Sequence, residues 1–96
     1  MAGHSHQEIY DKKFPPGSDF EFHPKLREWL KQYWGLSDLE SVAIKELGCD
    51  DNSCPVMETY IEATDPKFAK RTLKLGKAKH LVTKMDVYFS IEAQKS

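Results

Sequence analysis

No apolar run in this chain approaches the roughly eighteen residues that a membrane-spanning helix needs. The first residues lack the basic-then-apolar order of a secretory signal, so the expected location is the cytoplasm and no membrane partner is expected. Cysteine is scarce, with 2 in 96 residues. A stable disulfide is unusual in the cytoplasm, which leaves thiol, metal, redox or packing roles for the pair. Net charge is nearly absent at −1, so the total selects no partner. There is no nucleophile elbow, phosphate-binding glycine loop, H-E-x-x-H pair or EF-hand loop. Glu58, Glu62 and Asp65 have no base or nucleophile beside them in sequence, and no residue set supports an enzyme.

What is present fits one small domain. A chain of 96 residues can bury a single modest core. Its 40% hydrophobic and 30% charged residues suit a folded globule rather than a disordered segment. The charge is unevenly spread. Residues 37–65 hold eight acids and one base, Lys45, whereas residues 66–84 hold seven bases and no acid.

Residues 1–20 read as a flexible tail, since Phe14-Pro15-Pro16-Gly17-Ser18 cannot continue a helix. Phe20 and Phe22 are placed to dock this tail on the core. His23-Pro24 then opens a helix, proline being favoured where its missing N–H goes unused. Leu26, Trp29, Leu30, Tyr33 and Trp34 recur with helical period and form one apolar stripe, which Gly35 ends. Residues 41–47, 56–63 and 68–77 alternate as three strands joined by short connections. At the C-terminal end, Thr83 and Asp86 have the spacing of a capping box, which favours a helix over the strand that Val87, Phe89 and Ile91 also permit. The expectation is an α+β fold. A three-stranded antiparallel sheet packs on one N-terminal and one C-terminal helix, with residues 21–96 as the single domain.

Both cysteines fall in Gly48-Cys49-Asp50-Asp51-Asn52-Ser53-Cys54-Pro55, between the first two of these strands. Cys49 and Cys54 could share a metal, but a zinc site needs four ligands and no second pair is near. They could act in redox chemistry, but two acids lie between them and raise thiol pKa. They could also simply close a long hairpin loop. The basic run is a second candidate, with Lys70, Arg71, Lys74, Lys77 and Lys79 as the binding residues. Pairing with Glu58 and Glu62 across the sheet is its plain structural use. A cationic surface is the functional one. Nucleic acid is a poor partner for it, because exposed stacking aromatics are not interleaved and the acidic block repels phosphate.

Glu46-Leu47-Gly48-Cys49 followed by Cys54-Pro55-Val56-Met57-Glu58-Thr59 resembles the E-L-x-C-x4-C-P-x2-E-T pattern of a group of small bacterial and cyanobacterial proteins. Val82-Thr83-Lys84-Met85-Asp86-Val87 is similar to their V-T-x2-D-[IV] ending. The resemblance spans roughly residues 40 to 88 and implies that the cysteine loop and the cap are deliberate features. It implies no activity. The function expected from the sequence is a small cytoplasmic accessory domain that binds another protein through the Cys49–Cys54 loop and the charge-split sheet. The rival is a thiol-based metal-handling or redox protein using Cys49 and Cys54 with a bound metal ion. Nucleic-acid binding through residues 67–84 is a third reading.

Overall fold

The structure is a computed structural model that describes residues 6–49 and 57–95. Its elements in chain order are β1 (His6–Phe14), α1 (Leu26–Trp34), β2 (Ser41–Cys49), β3 (Glu58–Thr64), β4 (Lys70–Leu75), a 3-10 turn (Lys79–Leu81) and α2 (Lys84–Lys95). The four strands form one antiparallel sheet in the order β1-β2-β3-β4. This corrects the three-stranded expectation and the flexible tail. Residues 6–14 are an edge strand, paired with β2 from Phe14↔Val42 to His6↔Cys49. The register shifts between Glu8 and Tyr10. That irregularity breaks the two-residue alternation by which a half-buried strand is read from sequence.

One face of the sheet carries the core. Val42, Ile44, Ile61, Ala63, Leu73 and Leu75 point inward and are buried. They meet Leu26 and Leu30 of α1 and Val87 and Ile91 of α2 within one cluster. Each large aliphatic side chain so buried contributes about 1.5–3 kcal/mol. Phe20 and Phe22 close the cluster over β1. Phe20 meets Phe14 edge-on at 4.9 Å, and Phe22 meets Tyr10 edge-on at 5.9 Å.

Both helices end as local chemistry requires. Gly35 takes φ 70° at the C-terminus of α1, a conformation free of steric cost only without a Cβ. α1 itself begins at Leu26, two residues beyond Pro24. At the N-terminus of α2, the Thr83 N–H donates to Asp86 Oδ2 at 2.8 Å and the Asp86 N–H donates to Thr83 Oγ1 at 3.2 Å. This reciprocal pair is the capping box, and residues 84–95 are accordingly helical.

Candidate functional site

The alternation of β4 separates the five bases singled out from the sequence. Leu73 and Leu75 face the core, which puts Arg71 on the helix side and Lys70 and Lys74 on the open face. On that open face Lys74 Nζ lies 2.9 Å from Glu58, and Lys70 Nζ lies 4.0 Å from Glu62. Lys45 and Glu8 continue the same pattern at 3.8 Å. The hydrogen bond to Glu58, and its charge, hold the Lys74 ammonium above the ordinary lysine range. The outward face is thus a ladder of alternating signs in which the acidic block cancels the basic one.

Arg71 does something different. Its guanidinium donates to Glu40 Oε1 at 2.9 Å, to the Trp34 carbonyl at 2.6 Å and to the Gly35 carbonyl at 3.1 Å. It also lies 4.4 Å from the centre of the Trp34 ring. Carbonyls at a helix C-terminus lack intrahelical donors, so a planar five-donor group fits there well. One side chain thereby ties β4, the end of α1 and the turn before β2 together.

Lys77 and Lys79 are likewise engaged. Lys77 Nζ is 2.9 Å from Asp86 at the start of α2. Burial pushes the Asp86 carboxyl up, but the Thr83 N–H, Lys77 and the Thr83 hydroxyl outweigh it and hold the group below its ordinary value. Lys79 is mostly buried. Its Nζ pairs with buried Glu46 at 3.0 Å and sits 4.3 Å from the centre of the Tyr10 ring. The five bases therefore lie on different sides of the molecule and do not form one cationic patch.

Cys49 closes β2, but its side chain and the whole of Cys54 lie outside the described residues, so the sulfur arrangement expected from the sequence has no geometry attached to it. Among the described residues no group of three or more His, Cys, Asp and Glu side chains is placed to hold a metal. No helix among them is long and apolar enough to cross a membrane.

Two exposed apolar side chains not anticipated from the sequence, Phe68 and Leu39, stand on turns at the same end of the sheet. The β3–β4 connection is a tight turn in which the Phe68 N–H donates to the Asp65 carbonyl at 2.9 Å and the Asp65 N–H to the Ala69 carbonyl at 3.0 Å. Asp65 Oδ1 also accepts the N–H groups of Lys67 and Ala69, at 2.9 and 2.8 Å. Within this locked turn Phe68 has φ 67°, and among the described residues it is the non-glycine residue in the left-handed region. Its side chain is 83% exposed. Leu39, 69% exposed, sits on a second locked turn just before β2, where Ser37 and Glu40 exchange hydrogen bonds. Ser41 pairs with Thr64, so the two turns are neighbours at one rim of the sheet. The Asp-Pro pair marks the β3–β4 turn in the sequence, but phenylalanine in a conformation that favours glycine carries no sequence signal.

A third feature is the outer side of α2. Met85 and Phe89 are 51% and 60% exposed, and Leu81 in the preceding turn is 58% exposed. No family model matches this chain, and no curated protein or solved structure does so either. Its role is to be read from its own surfaces.

Proposed function

We propose that this chain is a small cytoplasmic accessory domain that acts by binding another protein, with Phe68 as the principal contact and Leu39 beside it. The observation that carries the reading is the cost of Phe68 to the fold. A left-handed conformation at a residue with a Cβ is unfavourable by about 1–2 kcal/mol. The exposed ring recovers almost none of this by burial. Glycine would remove the strain and lose only about 0.5–1 kcal/mol through its more flexible unfolded chain. The domain is thus less stable for keeping an aromatic side chain there, and the benefit lies outside it. Large aromatics on rigid turns are effective anchors, because little side-chain entropy is lost when they enter a pocket.

The paired open face supports the same reading from the other direction. Its charges already satisfy one another, which leaves the apolar rim as the more productive place for contact.

The experiment uses the full chain with a photo-crosslinking amino acid in place of Leu39, expressed in cells. A defined adduct with a second protein is expected. Phe68→Gly is expected to abolish that adduct and yet to raise the melting temperature, since about 0.5–1 kcal/mol corresponds to several degrees in a domain of this size. An adduct that survives Phe68→Gly, or a lower melting temperature in that variant, would overturn the assignment. Tight, stoichiometric uptake of Zn(II) or Cu(I) lost in both Cys49→Ser and Cys54→Ser would replace it with metal handling.

A further inference from the structure

The ladder of paired charges on the open face of the sheet gives out at the rim that carries Phe68. There the open face sinks into a trough of about 450 Å³. Small side chains, Ser41, Ala43 and Thr64, line its floor, with Pro15 beside them. Lys13 of β1 borders it at one end and Lys70 of β4 at the other. Lys13 faces this way because it pairs with Ala43, one position from the inward pair of Phe14 and Val42. Thr64 and Lys70 pair across the foot of the β3–β4 turn, so Phe68 stands at the Lys70 end of the trough.

The charge of this rim is not balanced. Glu62 lies in the trough and serves Lys70 at 4.0 Å. Asp65 has its Oδ1 taken by the N–H groups of Lys67 and Ala69. Asp38 and Glu40, on either side of Leu39, are held by Arg27 and Arg71. Asp11, next along β1 on the open face, stands opposite Lys45 and outside the trough. Lys13 and Lys67 are exposed, and neither forms an ion pair with another described residue. Elsewhere on this face Lys45 and Lys74 each have a carboxylate.

We propose that the partner engaged by Phe68 presents a short, extended acidic segment, which lies in this trough across the strands. One carboxylate meets Lys13, a second meets Lys67 at the other end, and an apolar residue beyond it packs on Phe68. The unpaired ammonium groups select this occupant by charge. The spacing sets its pattern. Neighbouring strands are about 4.8 Å apart, so β1 and β4 stand about 14 Å apart, which an extended chain covers in about four residues. Side chains four apart in an extended chain point the same way, so two acids with three residues between them reach both ends together. The small floor side chains leave room for the segment's backbone. A nucleic-acid strand fits less well, because Glu62 opposes phosphate and the trough's own ring, Phe14, is buried and offers no stacking surface.

This inference rests on the Phe68 reading and adds the chemistry of the partner. The test pans a phage-displayed library of random linear peptides on the full chain in reducing buffer. A synthetic copy of the most enriched peptide is then titrated by fluorescence anisotropy. Enriched peptides are expected to carry two acids four positions apart, followed by an apolar residue. Lys13→Glu and Lys67→Glu are each expected to weaken the peptide by about tenfold, and added salt to weaken it further. Both variants are expected to keep the wild-type melting temperature, because neither lysine has a described partner to lose. Phe68→Gly is expected to weaken the peptide as well. Peptides that need Phe68 but are indifferent to both lysine reversals would overturn this inference and leave Phe68 as the anchor. Peptides indifferent to Phe68→Gly would overturn the anchor and this inference with it. A library that yields no binder, or a single-stranded oligonucleotide that binds more tightly than the peptide, would overturn the acidic segment alone.

Discussion

α1 and α2 lie against the same side of the sheet, yet they are fastened in opposite ways. α1 has one apolar face and one charged face, and its ends are held by residues distant in sequence. Near its start, the Arg27 guanidinium donates to the Ser18 carbonyl at 3.0 Å and to Asp38 at 2.9 Å. At its finish, Arg71 reaches over from β4 to take the last carbonyls. α2 carries its own start signal in Thr83 and Asp86, three residues apart, and at its far end Gln94 donates to the Thr72 carbonyl of the sheet at 2.7 Å. The difference teaches where each helix gets its stability. α1 depends on the assembled fold, whereas α2 begins from local chemistry and has apolar surface left over.

The comparison is broken most severely at the packed face of α1. Leu30 has no exposed surface, and Leu30→Ala is expected to cost about 2–5 kcal/mol in urea denaturation, through lost burial and the cavity left behind. The next largest effect belongs to Arg71→Ala. It leaves Glu40 buried without its partner and the α1 carbonyls without donors, for an expected loss of about 2–3 kcal/mol. Arg71→Lys is expected to recover only part of this, because an ammonium cannot span the carboxylate and two carbonyls together. Calorimetry of the three proteins would sharpen the contrast between a distant clasp and a local cap.

The smallest effect is at the α2 cap, and it depends on pH. The Asp86 carboxyl titrates below its ordinary value of 3.8 in the folded chain. Its contribution is therefore complete above that value, and it fades as pH falls through the lower folded value. Asp86→Asn is expected to lower the melting temperature by a few degrees at neutral pH and by progressively less as pH drops below 3.8. A deficit that persists unchanged at low pH would show that the carboxylate charge is not what caps the helix.

These contrasts also explain how far the sequence could be read. The stripe from Leu26 to Trp34, the stop at Gly35 and the cap at Thr83 are local patterns, and each appears in the structure where its spacing places it. Strands β2, β3 and β4 share that legibility, although the β4 ladder begins at Lys70 rather than Phe68, because the turn extends through Ala69. β1 was not legible. Its inward residues are Tyr10, Lys12 and Phe14, and the register shift leaves Ile9 about half exposed, so no simple alternation survives. The role of Arg71 was hidden for another reason. It joins residues 31 to 37 positions apart, and nothing in composition distinguishes it from Lys70 beside it. Among the candidate residues, the positions of Cys49 and Cys54 were plain in the sequence, but a spacing does not say how two sulfurs face each other.

The order of the strands has a consequence for how the chain assembles. β3 and β4 are joined by a tight turn and find each other cheaply, but β1 must wait for β2 across the whole of residues 15–40. During synthesis β1 leaves the ribosome well before β2 is complete. Until then the aromatic rings of Tyr10 and Phe14 have only the nearby Phe20 and Phe22 to pack against. Pulse-labelled hydrogen exchange during refolding should register the β1 amides as the last to gain protection, which makes the first strand made the last one placed.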